Sequence, residues 1–432
     1  MNVRYLAVKA ITPLLQQSSS LKYTLKTQLR DCPEQQRPFL QELCYGSMRH
    51  LTQLNAFLDQ ISAKKIKAKD QDVKATILIG IYQLYKLNTP EHAAISETVD
   101  VCQLLNKRWA TAFVNATLRR FQREQTQLTE SLQLINSFNF NHPDWYIEKL
   151  KHNWPTQWQD ILRANDQHPP LTLRVNTQLV SRETLISKLS KEGIDSFETE
   201  YSKFGITLSK PTDIVSTEVF QQGLISVQDE APQLAAELID PQNDDLILDA
   251  CSAPGGKLLH ILELTKGMNT EVQGLELEQH RADRIKENFD RLDLQCQIHI
   301  ADATQKDWWD GRLYDKILLD TPCSATAVIR RNPDIKVMRQ SEDIHQLAKL
   351  QKQIIANMWA MLAKGGTLVY ATCSIFQQEN ERLIASFCKE NEDAIHTPID
   401  AGWGMQREFG RQLFPVNEKH DGFYYAVLKK SQ

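Results

Sequence analysis

The sequence has 432 residues, more than one ordinary hydrophobic core holds, so we expect two or three domains. Its composition, 41% hydrophobic and 24% charged, excludes a disordered chain, and no apolar stretch is long enough for a membrane span. The net charge of −4 is uneven: residues 1–140 carry 18 Lys and Arg against 11 Asp and Glu, whereas residues 141–432 carry 32 against 43. A basic front part is typical of contact with a polyanion, although a solvated basic face gives the same count.

The eight cysteines narrow the class of protein further. They form no CxxC pair and no Cys/His cluster at zinc spacing, so we expect no metal site. In a chain of this size they are typical of reduced thiols in a cytoplasmic protein rather than of a disulfide framework.

Residues 1–140 are predicted to form an all-α domain of five to seven helices. Apolar residues recur there at helical spacing, as at Val73, Ile77 and Ile81, and no strand pattern appears. The predicted helices cover 3–16, 36–49, 51–61, 72–87, 93–106 and 111–124. The clustered basic side chains are the natural phosphate contacts, and each alone could equally be an ordinary solvent-facing residue. They are Lys64, Lys65, Lys67, Lys69, Arg108, Arg119, Arg120 and Arg123.

Residues 141–225 are predicted to form a small α+β module. Residues 171–176 alternate as a strand does, residues 182–189 have helical spacing, and residues 206–208 and 224–227 are further candidate strands. The sequence leaves open whether this module recognises RNA or only links two domains.

Residues 226–432 alternate between strands and helices, which predicts an α/β, Rossmann-like domain with a doubly wound, mostly parallel sheet. The predicted strands are 246–249, 272–275, 298–300, 317–319 and 367–370, followed by 423–428 as a late edge strand that closes the sheet. Open sheets of this kind bind ligands at the carboxyl ends of their strands. We therefore expect the functional residues at those ends.

Three successive strand ends carry groups suited to an adenosyl ligand. The first leads into the turn Asp249-Ala-Cys-Ser-Ala-Pro-Gly-Gly-Lys257, where glycines and a helix N-terminus allow close backbone approach. The second ends at Glu276, placed to accept ribose hydroxyls, and the third at Asp302, placed to meet an adenine amino group. Each acid alone could be a helix cap. The turn matches neither the dinucleotide nor the P-loop pattern, so S-adenosylmethionine is the ligand that fits best.

Two further strand ends carry thiols. Asp320-Thr-Pro-Cys323 follows strand 317–319, and Pro322 prevents further pairing. Ala371-Thr-Cys373 follows strand 367–370. Either cysteine could be a small buried apolar group, which is the commonest state of a free cysteine.

Two thiols beside a methyl-donor site indicate methylation of a pyrimidine at carbon 5. That carbon is a weak nucleophile, but a thiolate that adds to carbon 6 turns the ring into an enamine that can accept a methyl group. Asp320 could hydrogen-bond N3 or the exocyclic amine, which would favour cytosine, and the base must be unstacked to enter such a site. The spacing does not say which thiol attacks.

Four motifs in this order resemble the RNA cytosine-5 methyltransferase family. They are Cys251-Ser-Ala-Pro-Gly-Gly-Lys257, Asp320-Thr-Pro-Cys-Ser-Ala-Thr326, Val328-Ile-Arg-Arg-Asn-Pro-Asp334 and Ala371-Thr-Cys-Ser374. The helical front resembles the antitermination factor NusB, which points to the bacterial Sun/Fmu branch of that family. Three positions depart from the usual pattern: Ser252 stands where Ala is usual, Glu276 where Asp is common, and Ala327 where Gly is usual.

The resemblance implies that Cys373 is the nucleophile and that Cys323 assists product release. It implies that Glu276, Asp302, Asp320 and the Gly-rich loop surround the cofactor S-adenosyl-L-methionine. The loop residues are Cys251, Ser252, Ala253, Pro254, Gly255, Gly256 and Lys257. It also implies 16S rRNA, free or partly assembled, as the substrate, and we expect a monomer.

Two rival functions remain open on the sequence. A ribosome assembly factor would bind RNA without turnover, and it would need neither thiol. A cytosine-5 methyltransferase could also act on another RNA or on DNA, and the DNA type would use Cys323 as the attacking group.

Overall fold

The computed structural model describes residues 2–62 and 65–432 and divides the chain into two compact units. The first unit comprises the first 167 residues together with Ile329–Ser341, and the second comprises His168–Val328 and Glu342–Gln432. Residues 141–167 therefore group with the helical front. The predicted domains 1–140, 141–225 and 226–432 stay a prediction.

The first unit is helical, as predicted. Its helices are α1 (Val3–Leu15), α2 (Leu21–Asp31), α3 (Arg37–Arg49), α4 (Leu51–Ile61), α5 (Gln71–Lys86), α6 (Glu91–Leu104), α7 (Thr111–Leu132), α8 (Asn136–Asn139), α9 (Asp144–Asn153) and α10 (Trp158–Asn165). Helix α5 lies in the core, where Ile77, Leu78 and Ile81 are fully buried. Helix α2 was not predicted, because only Leu21 and Leu25 mark its buried face among polar residues.

The second unit begins with a four-stranded antiparallel sheet. Its elements are β1 (Leu171–Val175), α11 (Arg182–Lys191), β2 (Ser196–Glu198), β3 (Gly205–Leu208), α12 (Glu218–Gln221) and β4 (Ile225–Val227), and the strand order is β2-β3-β1-β4. The predicted α+β character is confirmed, and the short β2 is an addition to the predicted strands.

A larger mixed sheet follows. The strands of this sheet and the helices of the same unit are α13 (Glu230–Ile239), β5 (Leu246–Ala250), α14 (Gly256–Leu264), β6 (Glu271–Glu276), α15 (Gln279–Leu292), β7 (Gln297–Ile300), β8 (Tyr314–Asp320), α17 (Ser341–Met361), β9 (Leu362–Thr372), α18 (Glu381–Glu390), β10 (Ala394–Thr397), β11 (Met405–Gln406), β12 (Arg411–Leu413) and β13 (Phe423–Lys430). The short helix α16 (Ile335–Met338) comes between β8 and α17 in the sequence but belongs to the first unit. Strands β9-β8-β5-β6-β7 are parallel neighbours, which confirms the doubly wound prediction. Strand β13 is not the predicted edge strand: it pairs antiparallel with β9 on one side and with β10 and β12 on the other.

Alternating side chains of the central strands supply two hydrophobic cores. In β8, Ile317 and Leu319 pack with residues of α17 and α18, whereas Leu318 between them packs with residues of α13, α14 and α15. Successive side chains of a strand point to opposite faces of the sheet, so both faces are covered by helices. This leaves the carboxyl ends of the parallel strands as the place for a site.

The segment Ile329–Ser341 belongs to the first unit although both its neighbours in sequence belong to the second. The buried Lys336 ammonium on α16 donates to the carbonyls of Arg49 at 3.0 Å and Asn141 at 2.9 Å and forms an ion pair with Asp166. The Asp334 carboxylate accepts the Leu21 N–H at 3.0 Å. These buried polar contacts hold the segment among the front helices.

Within the described residues, no helix combines the length and the apolar character that crossing a bilayer requires.

Candidate active site

The two thiols predicted at neighbouring strand ends meet in the structure. Strands β8 and β9 pair in parallel with Asp320 opposite Ala371, so the turns that follow them are adjacent. The Sγ atoms of Cys323 and Cys373 lie 3.4 Å apart. Both cysteines are partly buried, and neither is in a disulfide.

The protonation of Cys323 is set by its neighbour. Its hydrogen bond with the Cys373 sulfur, and then its burial, raise the pKa of Cys323 well above its usual range. The hydrogen bond and the burial therefore favour the protonated, less nucleophilic form of Cys323.

Asp320 forms a close ion pair with the last residue of the Gly-rich loop. The Lys257 ammonium lies 2.6 Å from the Asp320 carboxylate and 4.9 Å from the centre of the Phe423 ring. Burial acts to lower the pKa of Lys257, but the Asp320 charge and hydrogen bond outweigh it and the pKa is raised. This ion pair joins the Gly-rich loop to the strand that leads to Cys323.

The Gly-rich loop is held in a conformation that few residue types adopt. Gly255 caps α14 with a φ of +99°, and a Cβ there would lie 3.2 Å from Ile285. The Ser252 hydroxyl donates to the Asp249 carbonyl at 2.6 Å and accepts the Leu275 N–H at 3.1 Å. Serine at position 252 thus links β5 to β6, a role that the usual alanine cannot fill.

The predicted ribose and adenine contacts stay predictions. Glu276 is buried, accepts the Ala253 N–H at 3.1 Å and pairs with Arg281 at 3.2 Å, so it supports the loop. Asp302 is exposed and accepts the Thr304 N–H at 2.8 Å, so it closes a local turn and is not the helix cap of the alternative interpretation. Both carboxylates still lie at the ends of adjacent strands.

Asp249 carries a buried carboxylate for which neither oxygen has a hydrogen-bond partner among the described residues. Burial raises its pKa well above the ordinary value, and Lys257 only partly opposes that effect. An unsatisfied acid beneath a loop with helix N–H donors fits a ligand that has both cationic and anionic ends, such as S-adenosylmethionine.

Glu379 was missed by the sequence analysis. It is fully buried, and its carboxylate lies between the Cys323 turn and the Cys373 turn. Glu379 follows Gln377 and Gln378, and a run of polar residues is typical of an exposed surface loop, so the pattern gives no sign that Glu379 is buried. The available signal was an acid six residues after a candidate nucleophile.

The predicted phosphate contacts are distributed over the first unit. Lys65, Lys67 and Lys69 line an open cavity of about 360 Å³ together with the exposed Trp109. Lys64 lies outside the described residues. Arg108 and Arg123 are exposed, whereas Arg120 is engaged by Glu124 and the Ile61 carbonyl.

Comparisons with known proteins agree with this arrangement. The chain matches the family models described as 16S rRNA methyltransferase RsmB/F over residues 236–429, the RsmF/B-like ferredoxin-like domain over 142–215 and the NusB family over 1–123. It is 41% identical to the ribosomal RNA small subunit methyltransferase B of Pseudomonas putida, covering 100% of this chain and 99% of the relative. It is also 41% identical to the protein of that name from Vibrio vulnificus, covering 100% of both chains.

The solved structure of PH0851 has the same fold, with a TM-score of 0.84 at 21% identity over 99% of both chains. This likeness concerns the fold alone, whereas the family models and the relatives confirm the predicted resemblance, the fold class, the enzyme class and the cofactor. The chain belongs to the ribosomal RNA small subunit methyltransferase B family of S-adenosylmethionine-dependent enzymes.

Proposed function

We propose that the protein methylates carbon 5 of a specific cytidine in 16S rRNA through a covalent adduct between Cys373 and carbon 6. The observation that carries the proposal is the pair of sulfur atoms 3.4 Å apart at the ends of β8 and β9. An RNA-binding protein without turnover needs neither thiol. The proposed substrate agrees with the names of the relatives of this chain.

Cys373 is the attacking group in this proposal, as its Thr-Cys-Ser motif implies through the family resemblance, and the raised pKa of Cys323 agrees with that assignment. Addition of the Cys373 thiolate to carbon 6 moves electron density to carbon 5. Bound S-adenosylmethionine supplies the electrophilic methyl group. The Asp320 carboxylate, already oriented by Lys257, is the acceptor for the exocyclic amine of cytosine.

Product release requires a base for the carbon 5 proton. Once Cys373 is bonded to carbon 6, its sulfur no longer shares a proton with Cys323, and the largest cause of the raised Cys323 pKa is removed. The Cys323 thiol can then lose its own proton to solvent, and the resulting thiolate accepts the carbon 5 proton. Loss of the carbon 5 proton restores the double bond to carbon 6, and the Cys373 sulfur leaves as a thiolate.

RNA phosphates are proposed to contact Lys65, Lys67 and Lys69. These side chains share a cavity with Trp109, whose exposed indole can stack on an unpaired base. We further propose free or partly assembled small-subunit RNA as substrate, a monomeric enzyme and a cytoplasmic location.

The test uses full-length protein and 16S rRNA with radiolabelled methyl donor. Wild type should incorporate label at carbon 5 of one cytidine, and RNA containing 5-fluorocytidine should trap a covalent complex. Cys373→Ala should abolish both results. With ordinary RNA, the Cys323→Ala variant should accumulate the covalent adduct.

The reverse pattern, with trapping lost in Cys323→Ala and kept in Cys373→Ala, would instead indicate the DNA-type mechanism. RNA binding with no label incorporated by wild type would favour the assembly factor. Mass spectrometry of the trapped complex identifies the cysteine and the nucleotide in one measurement.

A further inference from the structure

Glu379 contacts both turns that carry the thiols. Its carboxylate accepts the Ser324 N–H at 2.8 Å and the Ser324 hydroxyl at 2.6 Å, and Ser324 directly follows Cys323. It also accepts the hydroxyl of Ser374, which directly follows Cys373. One buried side chain therefore bonds to the neighbour of each sulfur.

Other contacts fix Glu379 itself. The Gln351 amide of α17 donates to its carboxylate at 3.1 Å and to the Pro322 carbonyl at 2.9 Å. The Tyr370 hydroxyl donates to the Glu379 carbonyl at 2.7 Å, which ties this backbone to β9. A buried carboxylate that meets several donors at once is held in one position.

The groups that contact the Glu379 carboxylate are divided between its two oxygens. The Ser324 N–H and the Gln351 amide, which can only donate, both contact Oε1, and the Ser324 and Ser374 hydroxyls both contact Oε2. Burial raises the pKa of Glu379, and these hydrogen bonds only partly oppose that rise. A glutamine that keeps Oε1 would replace Oε2 with an amide nitrogen, so both hydroxyls would have to turn from donor to acceptor.

Building on the proposed function, we propose that Glu379 is a positioning residue that holds the Cys323 and Cys373 sulfurs together. Through Ser374 it places the attacking sulfur, and through Ser324 it places the thiol that assists release. It touches neither the substrate nor the cofactor. Adduct formation and product release therefore both depend on the Glu379 carboxylate, the first through the Ser374 hydroxyl and the second through the Ser324 hydroxyl.

The first test measures the distance between the sulfurs without RNA. Diamide, a diazene oxidant, takes two electrons and two protons from a close thiol pair and leaves a disulfide. The rate of Cys323–Cys373 cross-linking, followed by mass spectrometry of unreduced digests, should fall by about tenfold or more in Glu379→Gln. This readout holds whether or not the protein methylates RNA.

The matched control is Glu381→Gln. Glu381 lies two residues further along the chain, is also largely buried, and pairs instead with Arg407 at 2.8 Å. Its variant should cross-link at the wild-type rate. Both variants should bind the methyl donor within about twofold of wild type, because the described hydrogen bonds and ion pairs of these two side chains do not involve the Gly-rich loop.

The second test separates the two steps on RNA. Ser374→Ala should slow adduct formation on 5-fluorocytidine RNA, Ser324→Ala should slow adduct resolution on ordinary RNA, and Glu379→Gln should slow both. Equal cross-linking in Glu379→Gln and Glu381→Gln would overturn the proposal. If Glu379→Gln fails to fold, step rates that are unchanged in both serine variants would overturn it as well.

Discussion

Two buried carboxylates of the catalytic sheet have opposite surroundings. Glu379, on the thiol side, accepts hydrogen bonds from Ser324, Ser374 and Gln351. Asp249, at the start of the Gly-rich turn, has no hydrogen-bond partner among the described residues for either oxygen. Both are essentially inaccessible to solvent.

The difference shows that the hydrogen bonds of one buried carboxylate are complete without a ligand, whereas those of the other are not. A buried acid with several donors stabilises the turns around it, whereas a buried acid without donors costs free energy. The thiol side is thus organised by the protein alone. The Gly-rich turn retains an unsatisfied acid, and a bound ligand or solvent would lower that cost.

The largest expected effect concerns the ion pair that joins the two sides. Lys257→Met leaves Asp320 partly buried without its cation, so the free energy of unfolding should fall by about 3 kcal/mol. The measurement is urea unfolding of the full chain. Lys266→Met, which breaks an exposed pair with Asp293, should cost at most about 0.5 kcal/mol. Equal losses in the two variants would show that the Lys257 pair behaves as a surface pair.

A smaller effect is expected from Asp249→Asn, which removes the acid that has no donor. Because the folded-state pKa of Asp249 is raised, the folded protein keeps a proton that the unfolded chain has already lost, and stability falls as pH rises from the unfolded pKa towards the folded pKa. That loss is at most about 1.4 kcal/mol per pH unit, and the variant should lack it. Unfolding free energies at several pH values check the slope. A variant with the wild-type slope would mean that the Asp249 carboxylate is satisfied in solution.

The smallest effect is on the protonation of Cys323. Cys373→Ala removes the largest cause of the raised Cys323 pKa, so that pKa should fall while burial keeps part of the rise. Alkylation of Cys323 by iodoacetamide, followed across neutral and alkaline pH by mass spectrometry, should begin at lower pH in the variant. An unchanged profile would mean that burial alone sets the pKa, which would remove the basis for Cys323 acting as a base in the adduct.

The sequence predicted the strand ends well, because hydrophobic runs and breakers mark them directly. Cys323 and Cys373 were both placed at strand ends, and the parallel pairing of β8 with β9 brought them together. The position of β13 could not be predicted, because an antiparallel strand inside a sheet and one at its edge have similar patterns.

Side-chain partners were predicted less well than backbone elements. The pairing of Lys257 with Asp320 depends on the order of strands in the sheet, which the chain order does not give. Glu379 lies in a run of polar residues whose burial depends on distant elements such as α17. Long-range packing therefore decides which polar residues act in the site.

The chain passes between its two compact units three times, because Ile329–Ser341 returns to the helical unit before α17. Neither unit is therefore encoded by one continuous stretch of the gene. A single recombination event at residue 168 would separate Lys336 from Arg49 and Asn141 and leave a buried ammonium without its partners. Exchange of the helical unit between related genes would thus require two coordinated replacements, so this pair of units is expected to be inherited as one block.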